Sequence, residues 1–332
     1  MAKTKTKRSS RGSQSSGRSG GRPSGRPAGR PGGRPGAVAP RKATVSDWIS
    51  GARPRTLTLA VAPVALGSGA AAAINDFDWV LAVLCLVVSL FLQIGVNYAN
   101  DYSDGIRGTD KYRVGPARLT GAGVANPKRV RTVAFASFAV AALAGIAVIV
   151  ITQYWWMLLV GAACVVAAWF YTGGKRPYGY NAMGEIFVFV FFGLVATAGT
   201  QFVQAHTVTE AGWVAAVMIG LFSCGVLMIN NIRDIEQDKL AGKRTLAVVL
   251  GHRGARIVYA LFLGLPYVLL VYFTVLYFGG GYVYFSAILT IPAIVIGVTG
   301  RTPREHITAL KLSSFSALLF SLALAAVLFF QP

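Results

Sequence analysis

From residue 45 onward the chain alternates between long apolar runs and short polar connections. The apolar runs recur about nine times, near residues 56–74, 79–99, 130–151, 154–171, 183–203, 211–229, 257–278, 282–298 and 312–330. Each holds roughly 18 to 23 residues, enough to cross a hydrocarbon layer as a helix rising about 1.5 Å per residue. The predicted fold class is all-α, a polytopic membrane protein of about nine transmembrane helices. A short amphipathic stretch, Val45 to Gly51, precedes the first of them.

The polar positions alternate in kind as well as in place. The connections after the second, fourth, sixth and eighth runs carry nearly all the inter-helix Lys and Arg, whereas the connections on the other side carry none. The positive-inside rule then puts the N-terminus and the four charged connections in the cytoplasm and the C-terminus on the opposite side. In the absence of organelle-targeting features, a bacterial plasma membrane is the expected location.

Composition sharpens this picture. Of 332 residues 54% are hydrophobic and only 13% charged, against roughly a quarter charged in a soluble domain. Much of the net charge of +20 lies in residues 1–42, which contain no acid, and residues 21–36 read GRPSGRPAGRPGGRPG. Such a stretch can neither hold a helix nor bury a core, so residues 1–44 are expected to be a disordered cytoplasmic tail attracted to anionic lipid, and residues 45–332 the functional domain. Without interleaved aromatic residues no specific nucleic acid is expected as a partner. The tail is too long and polar for a cleavable signal, so the first transmembrane helix is expected to direct insertion. Cys85, Cys164 and Cys224 fall in apolar runs without metal-ligand spacing, so neither a zinc site nor a disulfide framework is suggested.

Two polar clusters interrupt the apolar pattern at equivalent places. The first, Asn97-Tyr-Ala-Asn100-Asp101-Tyr-Ser-Asp104 with Asp110 beyond it, runs off the cytoplasmic end of the second helix, and helical spacing puts Asn97, Asp101 and Asp104 on one face. The second ends the sixth helix, where Asn230, Asp234 and Asp238 follow an i, i+4, i+8 line. One interfacial Asp is ordinary; two stacked Asn/Asp faces are costly near membrane depth and point to function. All-oxygen donors suit Mg²⁺, which binds through one or two carboxylates plus phosphate oxygens, so a diphosphate clamped between the two helix ends is expected. Arg53, Arg118, Lys175 and Arg233 flank the clusters and would offset the negative charge. Tyr98, Tyr171 and Tyr178 are placed to shield a cation with their rings, while His206, His252 and His306 lack partners at ligand spacing.

These motifs resemble the UbiA superfamily of intramembrane prenyltransferases. The likeness runs from about Ala52 to the C-terminus and rests on Arg53-Pro-Arg-Thr-Leu57, the two Asp clusters, Gly115-Pro-Ala-Arg118-Leu119 and Gly242-Lys-Arg-Thr-Leu246. The Gly108-Thr-Asp110 and Gly-Pro-Ala-Arg pieces are similar to the branch that prenylates 1,4-dihydroxy-2-naphthoate. In the first motif Asp104 stands one residue short of the superfamily spacing, with Gly105 in its place. The resemblance implies a bundle around a central cavity with a lateral opening for an isoprenoid tail. It also implies transfer of a polyprenyl group from polyprenyl diphosphate, with loss of CO₂ and diphosphate, to give demethylmenaquinone for menaquinone biosynthesis.

On that reading the catalytic residues are Asp101, Asp104, Asp234 and Asp238. The diphosphate or substrate ligands are Arg53, Asn97, Arg118, Tyr171, Lys175 and Arg233, and the metal ligands Asn97, Asn100, Asp101, Asp104, Asp234 and Asp238. The partners are then the two substrates and membrane lipids, and a homo-oligomer is compatible with it. The same fold with another acceptor (4-hydroxybenzoate, homogentisate, haem or a phosphoribosyl donor) stays open. A secondary transporter is a more distant alternative, disfavoured because the polar clusters lie at one membrane face.

Overall fold

The computed structural model describes residues 42–112 and 118–331; the basic tail up to residue 41 and the Gly-Pro-Ala piece at 115–117 lie outside the described residues. Helices begin where short polar side chains take over the backbone donors that a helix start leaves unpaired. After α1 (Val45–Gly51), whose Thr44 and Asp47 form a capping box, a single 3₁₀ turn leads into α2 (Thr58–Ala72). Asp78 accepts from the Val80 and Leu81 amides at 2.7 and 2.9 Å and starts α3 (Trp79–Arg107). Asn126 and Pro127 open α4 (Pro127–Thr152), which α5 (Met157–Phe170) follows.

The next span, α6 (Gly184–Ala205), holds a π-helical stretch at Phe189–Ala198. Thr209 caps α7 (Glu210–Arg233), and a short α8 (Ile235–Leu240) leads to α9 (Leu246–Leu276), capped by Thr245. A 3₁₀ turn begins α10 (Gly280–Thr299), and a Thr302–Glu305 capping box opens α11 (Pro303–Phe329).

Seven of these helices are long and apolar enough to cross a membrane, and α2 and α5 are shorter apolar helices, so the chain is a multi-pass membrane protein. Among the described residues the structure is helical, with one isolated bridge, Asn181 to Arg244. Large apolar side chains such as Leu143, Leu159, Val275 and Ile288 face outward, as lipid contact allows.

The helices outrun the apolar pattern in an informative way. The second run was expected to end near residue 99, yet α3 continues to Arg107 and stops at Gly108, whose φ of 74° suits glycine. The first Asp cluster is therefore helical throughout. The second is not: α7 stops at Arg233, and Asp234 has φ −102° and ψ 8° between α7 and α8. Neighbouring side chains on a helix point about 100° apart. Arg233 makes a two-pronged pair with Asp234 at this break. The expected i, i+4, i+8 line through Asn230, Asp234 and Asp238 is thus broken at its middle member.

One core gathers α2, α7, α9, α10 and α11 around Phe222, Tyr259, Phe273 and Phe320. A smaller one joins α1, α3 and α4 through Tyr98, Leu119, Val130 and Phe138. Small residues allow close approach where lipid supplies no hydrophobic drive between helices. A Cβ on Gly193 of α6 would stand 2.6 Å from Gly220 Cα and 2.8 Å from the Ala216 carbonyl oxygen of α7. Gly193→Ala must therefore push α6 away from α7, with an expected cost of about 1–3 kcal/mol. A lowered thermal midpoint of the detergent-solubilised protein is the measurement, and an unchanged midpoint would refute the tight α6–α7 seam.

Candidate active site

A cavity of about 960 Å³ opens among α2 to α7. Its polar end is lined by Arg53, Arg55, Asn97, Asn100, Asp101, Arg118, Tyr171, Tyr178, Asn230 and Arg233, and its remaining wall is mostly apolar, with Val88, Ile149, Val165, Phe191 and Val195 among its residues. Ile146 of α4 and Leu158 and Val166 of α5 line the cavity and are also exposed on the outer surface. The wall between α4 and α5 is therefore open toward lipid. Charged head below the loops, apolar arm opening sideways: this shape takes an amphiphile with an anionic end.

Asp101 and Asp104 stand close together on α3 but face different partners. Asp101 is 2% exposed, and its two oxygens accept from the Leu119 and Thr120 amides at 2.9 and 2.8 Å. That pair of bonds pins the 118–126 loop to the helix. Asp104, 1% exposed, accepts from Arg118 and Tyr180, and Lys243 Nζ lies 3.4 Å from it. Arg118 also donates to the Asn100 carbonyl at 3.0 Å and lies 3.5 Å from Asp110. Burial opposes its charge, but Asp104, Asp110 and Asp101 together outweigh burial, so the guanidinium is held above its ordinary range. Burial and the adjacent Asp104 carboxylate raise the Tyr180 hydroxyl above its usual range too, which keeps it a donor.

On the other side, Arg233 grips Asp234 through two bonds and donates to Asn230 Oδ1 at 2.9 Å. Asn231 donates to the buried Glu185 carboxylate at 3.1 Å. Lys243 joins the two motifs, because its ammonium lies 3.4 Å from Asp104 and 4.0 Å from Asp238 and sits over the Tyr180 ring at 4.5 Å. The Arg244 amide donates to the Tyr180 carbonyl at 2.9 Å, which ties the 171–183 and 241–245 loops together above the cavity.

The structure gathers most of the residues singled out from the sequence, and separates some. Arg53, Asn97, Asn100, Asp101, Arg118, Tyr171 and Arg233 line the cavity. Asp104, Asp234 and Asp238 are not in its wall; they belong to the ion cluster that frames it. Lys175 is exposed on its loop and outside the cavity lining, so the expectation of a phosphate ligand there is not supported by its position. Tyr98, expected to face a cation, instead donates to the Trp48 carbonyl at 2.6 Å and packs α1 onto α3. Sequence reasoning missed Tyr180, Thr172 and Glu185. Thr172 donates to Asn100 Oδ1 at 2.6 Å, and of the three only Glu185, an acid starting an apolar run, carried a visible signal.

The donor set fits a hard divalent cation. Every donor at the polar end is oxygen, and among the described residues no three His, Cys, Asp or Glu side chains converge as a cage. A cation that takes part of its shell from phosphate and water matches this sparse set, whereas zinc does not.

Residues 60–300 match the UbiA prenyltransferase family. The chain belongs to that family. Its prenyltransferase relatives include the 1,4-dihydroxy-2-naphthoate octaprenyltransferase of Mycobacterium tuberculosis, 45% identical over 302 residues that cover 87% of this chain and 98% of the relative. The Mycobacterium leprae protein of the same name is 51% identical over 217 residues, 65% of this chain and 74% of the relative. A solved UbiA homolog from Archaeoglobus fulgidus, bound to GPP and Mg²⁺, superposes with a TM-score of 0.60 at 16% identity, covering 85% of this chain and 100% of that one. That likeness shows the fold.

Within this UbiA member both partners of the Arg118–Asp104 pair are buried. Removing one partner strands the other, so Arg118→Met is expected to destabilise by about 3–5 kcal/mol. Arg118→Met with Asp104→Asn should cost less than the sum of the two single changes. Additive losses in thermal stability in detergent would show that the pair is not coupled.

Proposed function

We propose that this protein transfers a polyprenyl group from a polyprenyl diphosphate to 1,4-dihydroxy-2-naphthoate, releasing diphosphate and CO₂ and giving the reduced ring of demethylmenaquinone. The observation that carries this reading is the cavity itself, with a cationic and carboxylate-framed head joined to an apolar arm open to lipid. The names of the mycobacterial relatives support the naphthoate acceptor. In balance, the allylic C–O bond breaks and a C–C bond forms at the carboxylate-bearing ring carbon. The ring–carboxylate bond then breaks, and its electron pair restores the aromatic ring.

Arg53 and Arg233, at the polar end, would hold the diphosphate and take up negative charge as it departs. Mg²⁺, the cation we assign to the site, would neutralise the leaving diphosphate when bound. Asn97, Asn100 and Asp101 on α3 would hold it on one side, and Asn230 with Asp234 and Asp238 on the other. Asn97 is oriented for this by its amide, which donates to the Ala52 carbonyl at 2.9 Å. Arg118 and Lys243 counter the charge of Asp104 and hold their loops over the head. Tyr171 and Tyr178 line the cavity and would shield positive charge on the allylic carbon, and Phe187 stacks on Tyr178 at 3.9 Å.

We further assign the charged loops and this head to the cytoplasmic face of a bacterial plasma membrane, with the C-terminus opposite and the tail dispensable for transfer.

The test is prenyl transfer from a labelled prenyl diphosphate by the purified protein, with dihydroxynaphthoate set beside 4-hydroxybenzoate and homogentisate. Preference for dihydroxynaphthoate is expected, and preference for another acceptor would overturn the assignment. Transfer should stop when Mg²⁺ is chelated and return when it is restored. Asp101→Asn should lower the rate at least about a hundredfold; a folded variant with unchanged activity would remove Asp101 from the site.

A further inference from the structure

Arg53 reaches the cavity head from an unusual backbone. Its φ of 55° and ψ of 64° lie in the left-handed region, which a residue with a Cβ adopts at a cost. Among the described residues five non-glycine positions have a positive φ, and of these Arg53 lines the cavity. Such a conformation lasts where the surrounding structure over-determines it. On the C-terminal side the hold is local: Pro54 fixes the next φ, and the Thr56 amide and hydroxyl donate to the Arg53 carbonyl at 2.9 and 3.1 Å. On the N-terminal side it comes from α3. The Asn97 amide donates to the Ala52 carbonyl at 2.9 Å, and the next residue, Tyr98, donates its hydroxyl to the Trp48 carbonyl at 2.6 Å.

The Trp48 carbonyl also accepts from the Ala52 amide at 3.2 Å, and the Arg53 amide donates to the Ser50 carbonyl at 3.1 Å. A hold on Trp48 is therefore carried through the last turn of α1 to Arg53. The Trp48 and Tyr98 rings lie 5.9 Å apart, and Gly51 leaves the space in which the Tyr98 ring meets α1. A Cβ on Gly51 would stand 2.9 Å from Tyr98 Cε1 and 3.0 Å from Leu119 Cδ1. Tyr98 itself is 5% exposed and is not part of the cavity wall, so it acts on a bound substrate through another residue. We infer that Tyr98 is a positioning residue for Arg53: its hydroxyl seats the end of α1 on α3 and so fixes the guanidinium for the diphosphate. The first motif then serves both charges of the head. Asn97, Asn100 and Asp101 face the cation, while Tyr98, between them in sequence, sets an arginine on the anion.

This inference rests on the proposed diphosphate-binding role of Arg53, and its test separates the two. With the full-length protein, Mg²⁺ and no acceptor, Kd for geranyl diphosphate is measured for the unaltered protein, Arg53→Met, Tyr98→Phe and the double variant. Tyr98→Phe keeps the ring against Trp48 and deletes only the hydroxyl. It should weaken binding about fivefold and leave KM for the aromatic acceptor unchanged. In the Arg53→Met protein the same change should have no further effect, because the group it positions is gone. Gly51→Ala, which crowds the contact from the α1 side, should weaken binding likewise and should also lose its effect beside Arg53→Met. Unchanged binding in Tyr98→Phe, a loss that persists in full beside Arg53→Met, or a parallel rise in KM for the acceptor would overturn the positioning role. If Arg53→Met binds geranyl diphosphate as tightly as the unaltered protein, the diphosphate assignment of Arg53 fails and the positioning role falls with it. Preference for another acceptor would remove the naphthoate assignment alone, since the binding measurements contain no acceptor.

Discussion

The site depends on how charge is neutralised where the bundle meets the membrane face. Asp104 is nearly inaccessible on α3, and an isolated carboxylate there would be prohibitive. Arg118 answers it from the loop after α3, Tyr180 from the loop after α5, and Lys243 from the loop after α8. Three loops far apart in sequence are thereby fixed to one point. Since Lys243 also reaches Asp238, the same contact sets the first motif beside the second. The cavity head can keep its shape because its roof is held by charge rather than by apolar packing.

That arrangement explains which parts of the molecule could be read from sequence. The recurring apolar runs were legible, because bilayer thickness imposes length and composition directly. Asn97, Asn100 and Asp101 were legible because helical spacing survives in α3. The break at Asp234 was not, since no periodicity encodes it or the side-chain pair between neighbours, Arg233 and Asp234, that accompanies it. Nor could the division of labour between Asp101, which lines the cavity, and Asp104, which does not, be read from a pattern that places both on one face. Lys175 resembled a phosphate ligand by charge and position, and only the structure shows it exposed on its loop and outside the cavity lining. Thr172 and Tyr180 are ordinary loop residues in the sequence and acquire meaning from the α3 groups they meet.

The two halves of the bundle also differ in how they are built. Around α7, α9, α10 and α11 the interior is filled with large side chains and with hydroxyl contacts such as Tyr259 to Ser313 at 2.8 Å. Around α4 and α5 much of the inner face borders the cavity instead, and Gly145 and Gly161 there have almost nothing near the place a Cβ would take. The solid half supplies the rigidity that positions the α7 residues, while the hollow half provides room.

The gap between α4 and α5 has a consequence for how the protein meets its long-chain substrate. An opening in the flank of the bundle samples the bilayer, so the quantity that governs encounter is the number of chains per unit area of membrane. Supply then follows lateral diffusion within one leaflet, and a hydrophobic product released by the same door never has to be lifted through water.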